Sequence, residues 1–230
     1  MSNNLRYLFG ALTSDKITQM SGGKIPKMTP QQAAGLLGSW IVETGSSDLS
    51  NLDVVEKVAG AGRGLSQYTG ARRTAYDIER AKALRAGKDP NSVEWQLQYF
   101  VDEYSGKHDR HAGGKSLIGW TNAFGNAPKS GSAGDYAEYY TGSAASGKGY
   151  FRPGVPHTDR RRQEAERVLG MMGQGGVQGG TMPTKDQTPD PVDSMPTSNA
   201  DVVTGVEDNS KPFSPAELIQ NAVSGLGIKL

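Results

Sequence analysis

Glu43 stands in the stretch "SWIVETGSSD" as the only ionisable side chain between Lys27 and Asp48. An isolated carboxyl at the end of an apolar run has one obvious chemistry, the donation of a proton to a leaving group. Partial burial and the negative end of a helix dipole both raise its pKa. A glutamate at about 4.3 is protonated roughly 0.2% of the time at pH 7, and one raised to about 6 roughly 10% of the time. Spacing alone leaves two other readings open: a carboxylate facing solvent from a frayed last turn, or one that accepts a hydrogen bond from a buried arginine. Further carboxyls at Asp48, Asp53, Glu56, Asp102 and Glu103 are available for a second role, with Asp53 placed slightly ahead. His108 and His111, in "HDRH", lack the spacing and the glutamate of the zinc-protease helix and read as a surface loop rather than a metal site. With no cysteine in the chain, thiolate catalysis, disulfides and cysteine-based metal sites are excluded.

The element that must position Glu43 is a helix. Thr29, Pro30 and Gln32 form a capping-box start and Gly45 a stop. At about 100° per residue, Ala33, Leu36, Leu37, Trp40, Ile41 and Thr44 share a face, opposite the small residues Ala34, Gly35, Gly38 and Ser39. Such a helix is expected to be enclosed nearly all round. Further helices are predicted over Ala71–Ala86 and after Asp89-Pro90, where Val93, Leu97, Phe100, Val101 and Tyr104 lie on one stripe. Shorter ones are predicted over Ser116–Phe124, Gly134–Tyr140 and Thr158–Met172. Any sheet is small, because no alternating runs bounded by hairpin turns occur. Arg160, Arg161 and Arg162 read as a solvated helix face, and the three tryptophans as core, with Trp120 the best candidate among them for a sugar platform.

A second block, "GRGLSQYTGARR", begins nineteen residues after Glu43. It is not a phosphate loop, since no strand precedes it and Gly-Lys-Ser/Thr is missing. Its glycines permit close approach to an extended ligand, and Gln67, Tyr68 and Thr69 offer amide, ring and hydroxyl to a sugar. The matching residues Ala34-Gly35-Leu36-Leu37-Gly38, Glu43-Thr44-Gly45, Gly62, Gly64 to Gly70 and Arg72-Arg73 resemble the phage tail lysozyme family. Later echoes are Leu97 to Phe100 ahead of Glu103, and Phe151-Arg152-Pro153 ahead of Arg161-Arg162. The resemblance covers about Met28 to Leu169. It implies a mainly α, α+β lysozyme-like domain with two lobes, little sheet and a peptidoglycan cleft. It implies that Glu43 is the catalytic acid and that Gly64 and Gln67 contact glycan. Tyr68 stands where relatives often carry tryptophan, and Arg152 where an acidic residue is common.

Composition changes after Met172. Residues up to that point carry 22 Lys+Arg and 17 Asp+Glu, and the remainder 3 and 7. The expected organisation is an N-terminal extension over 1–27, a catalytic domain over 28–172, a Gly/Pro/Ser/Thr-rich linker over 173–212 and a docking helix over 213–230. No run is long enough to cross a bilayer, and scattered charges give no reason to expect nucleic-acid specificity. The expectation is a virion-carried enzyme, needing no cofactor or metal, that cleaves peptidoglycan between N-acetylmuramic acid and N-acetylglucosamine, by hydrolysis or transglycosylation. Its C-terminal tail would attach it to other virion proteins. The competing reading is a structural or ejected virion protein that keeps the fold without activity.

Overall fold

The computed structural model describes residues 2–56, 62–118, 122–142, 149–151 and 153–174. Helix α1 spans Asn3–Leu12, α2 Asp15–Met20, α3 Pro30–Thr44, α4 Gly70–Arg85, α5 Val93–Tyr104, α6 Ala133–Thr141 and α7 Thr158–Gln174, with a short 3-10 turn at Asp109–Ala112. Among the described residues the only β pairing is two isolated bridges, Val55 with Arg63 and Arg63 with Tyr68. The fold is helical, as the sequence periodicity requires. The predicted Ser116–Phe124 helix does not form: 116–118 and 122–124 run as turns and bends. Trp120, Arg152, the linker and the docking segment lie outside the described residues.

Helix α3 is the centre of the domain. Its capping box forms as written, with Thr29 accepting from Gln32 N–H and the Gln32 side chain accepting from Thr29 N–H, and Gly45 ends it in the left-handed conformation. Every residue from Ala33 to Ile41 is buried. The small residues explain how. A Cβ on Gly35 would lie 2.6 Å from Tyr136 Cβ on α6, and one on Gly38 would lie 2.5 Å from the Ala165 backbone nitrogen on α7. Two neighbouring helices therefore touch the α3 backbone directly. The stripe predicted on α5 is buried in full, and Phe100 meets Trp40 edge-on at 5.1 Å between ring centroids.

The segment ahead of α3 packs into the core. Leu5, Leu8 and Leu12, at helical spacing on α1, join Ile17 and Ile25 in the same hydrophobic core as α3, and Ser2 caps α1 by accepting from Leu5 N–H. A smaller aromatic cluster lies apart from that core, formed by Tyr68, Tyr76 and Tyr99 with Trp95 against them. The "HDRH" segment packs on this cluster instead of standing in solvent: His108 is buried and stacks on Tyr99 at 4.7 Å.

Candidate active site

Glu43 is the penultimate residue of α3, and its side chain is 13% exposed, enough to reach solvent at one edge. The Arg161 guanidinium donates to its Oε1 at 2.7 Å. Arg161 is itself buried and fixed from behind, donating to the carbonyls of Pro156 (2.7 Å) and Ser39 (3.3 Å) with its guanidinium over the Phe151 ring. This corrects the reading of Arg161 as part of a solvated face, whereas Arg160 is exposed and Arg162 partly so. Arg161, Ala165 and Val168 are all buried, at spacings of four and three, so the arginine falls on the stripe of α7 that faces α3. Burial pushes the Glu43 carboxyl above its ordinary value of 4.5, and this outweighs the Arg161 charge and hydrogen bond and the charge of Arg72, which act the other way. The negative charge of Glu56 adds to the upward push.

The remaining carboxyls are sharply sorted by their partners. Asp53 accepts from Arg63 on both oxygens (2.9 Å each), from Arg80 at 2.7 Å and from the Tyr76 hydroxyl at 2.8 Å. Burial opposes its ionisation, yet these hydrogen bonds hold the group below its ordinary value. Asp53 thus ties the 49–56 segment to α4 through Tyr76 and Arg80. Glu103 is fully buried and takes a two-point hydrogen bond from Arg72 (2.7 and 2.8 Å) plus one from the Tyr150 hydroxyl (2.9 Å). Asp102 pairs with Lys107, and Asp48 accepts from Ser50 N–H. Glu56 is exposed, accepts from Gly62 N–H at 3.2 Å and is the only one of these carboxylates whose field reaches Glu43 among the leading influences on it.

The second block is held by its own atoms. Gly64 has φ +77°, and a Cβ there would lie 2.7 Å from the Tyr76 ring, so both conformation and space call for glycine. Gln67 folds its amide back to donate to Gly64 O (3.0 Å) and Val54 O (3.2 Å), closing the loop. Tyr68 is wholly buried against Tyr76, Tyr99 and the Arg72 guanidinium. Of the residues expected to meet sugar, Tyr68 is therefore a core residue and Gln67 a loop brace, while Thr69 is exposed and its hydroxyl makes no capping bond. The network that joins this block to α3 was not anticipated. Arg72 binds Glu103 and Tyr150, the Tyr150 hydroxyl reaches Ser66 at 3.3 Å, and Ser66 accepts from Trp40 Nε1 at 2.9 Å. The sequence signal was Arg72 beside an aromatic loop, opposed by a glutamate, Glu103, next to the apolar stripe of α5.

The domain is helical, built on one enclosed helix with a protected glutamate at that helix's end and a braced glycine loop beside it. The sequence model described as phage tail lysozyme matches residues 13–172. The chain belongs to the phage tail lysozyme family. Comparison with curated proteins and with solved structures finds no match to this chain. The matched span begins at Thr13, between α1 and α2, so it includes α2 and follows α1.

Proposed function

We propose that this protein cleaves the glycan strand of peptidoglycan, at the bond between N-acetylmuramic acid and N-acetylglucosamine, with Glu43 as general acid. The observation that carries this reading is the carboxyl of Glu43: nearly buried, open at one edge and raised in pKa by that burial. Such a group keeps its proton closer to neutral pH and can hand it to the bridging oxygen as the bond breaks. Arg161 fixes its orientation, and its charge favours the carboxylate left after the proton has gone. Within this reading the second role falls to Glu56 rather than Asp53. Glu56 is exposed and lightly held, so it is free to attack the anomeric carbon or activate water, whereas Asp53 is occupied by three donors. Transglycosylation, in which a hydroxyl of the substrate attacks, needs Glu43 alone. Thr69, exposed with no capping bond, is the part of the second block assigned to the glycan. The protein is carried in the virion, and the residues beyond 174 attach it to other virion proteins.

The ion pair with buried Arg161 also suits a protein that keeps Glu43 for stability only, the non-catalytic virion component. Digestion of purified peptidoglycan followed by mass spectrometry separates the two. Soluble fragments are expected, with reducing ends for hydrolysis and loss of Glu56→Gln activity, or anhydro ends and a tolerant Glu56→Gln for transglycosylation. Absence of glycan cleavage by the folded full chain would reject the enzyme.

A further inference from the structure

Glu79 on α4 and His108 and His111 around the 3-10 turn form a second cluster, which shares no residue with the Glu43 site. Their donor atoms all lie within 4.8 Å of one another. Glu79 Oε1 is 2.7 Å from His111 Nε2 and 3.9 Å from His108 Nδ1. Zinc bonds of about 2.0–2.1 Å in tetrahedral geometry place donor atoms about 3.3 Å apart. The two separations at Glu79 bracket that spacing, and the third, between the two histidines, is no more than 4.8 Å, so closing on an ion calls for side-chain movements on the order of an ångström. We propose that Glu79, His108 and His111 bind a zinc ion that clamps the 108–112 turn to α4.

Two independent observations point to a ligand there. His108 has a side chain only 7% exposed, yet neither of its ring nitrogens has a hydrogen-bond partner. A buried imidazole with both nitrogens unsatisfied costs free energy that an ion on Nδ1 would recover. The second is a small cavity lined by His108, Glu79, Tyr99, Trp95, Gln98 and Asp102, which gives that imidazole space to face. The chemistry of the donor set is that of zinc: two imidazoles and one carboxylate, with a fourth position for water. Calcium and magnesium prefer all-oxygen sets. Lys82 and Arg110 also touch Glu79 Oε1, at 2.9 and 2.7 Å. Both side chains are about half exposed and can turn into water without leaving a buried charge behind.

The test uses the full chain without an affinity tag, stripped with chelator and titrated with zinc by calorimetry and thermal unfolding. One zinc per chain is expected, with Tm raised by about 5–10 °C at saturation and no rise with magnesium. His111→Ala and Glu79→Gln should each weaken binding more than about tenfold. His157→Ala, which removes the remaining histidine of the three, should leave it unchanged. Because His111 and Glu79 are only partly buried, these variants keep the test open even where His108→Ala fails to fold. Lack of stoichiometric binding at tens of micromolar zinc would overturn the site, as would wild-type affinity in His111→Ala or an equal response to magnesium.

Discussion

At the scale of residues, the environment of Glu43 sets two opposing influences on one proton. Burial holds it, and the Arg161 charge 2.7 Å away draws it off. Replacing Arg161 with methionine removes the largest of the influences that lower the Glu43 pKa, leaving that of Arg72, so the acid stays protonated to higher pH. The alkaline limb of the pH–activity profile, which falls as the acid ionises, is expected to move to higher pH in Arg161→Met. A limb that stays in place would separate Arg161 from the acid's titration. The same substitution is expected to cost about 3 kcal/mol in denaturant unfolding, because one member of a buried pair is lost. Glu43 was legible in the sequence because a lone charge in an apolar helix is conspicuous. Its partner was not, since Arg161 lies 118 residues away and nothing in a linear sequence reports that contact. Tyr68 was misread for a related reason: an aromatic ring beside glycines looks the same whether it meets a sugar or a tyrosine cluster.

At the scale of elements, α3 is positioned by what it lacks. Gly38 leaves room for the backbone of α7, and with it for Arg161 to arrive behind Glu43. Gly38→Ala gains about 1 kcal/mol of helix propensity, but its Cβ would sit 2.5 Å from a backbone atom that cannot turn aside. Separation of α3 and α7 should dominate, with net destabilisation of about 2 kcal/mol and a Tm lower by about 4–8 °C in calorimetry. Unchanged stability would show that α7 can shift freely. The caps of α3, the stripe of α5 and the bounds of α4 and α7 were readable because local chemistry fixes them. The absent helix over Ser116–Phe124 shows the converse: Asn122 Oδ1 accepts from Gly125 N–H and the Tyr104 hydroxyl accepts from Phe124 N–H, side-chain bonds that replace helical ones.

At the scale of the molecule, the hydrophobic core draws on helices from α1 to α7, and α1 contributes Leu5, Leu8 and Leu12 to it. Truncation after Gln174 is expected to leave folding and glycan cleavage intact while abolishing incorporation into particles. Removal of residues 2–12 should instead strip Leu5, Leu8 and Leu12 from the core and leave an unfolded or aggregated chain. Soluble, active protein lacking α1 would contradict the single core, and normal incorporation of the truncated chain would place attachment elsewhere. The family match, over residues 13–172, spans both the α3 glutamate and the braced loop.

The central claim is that the Glu43 proton breaks the glycan bond. The most direct measurement is the rate of soluble fragment release from purified peptidoglycan by wild type and Glu43→Gln, with matched circular dichroism and unfolding curves to establish that both are folded. Loss of a general acid predicts a fall of about 10²–10⁴-fold. Equal rates from two equally folded proteins would remove Glu43 from the chemistry.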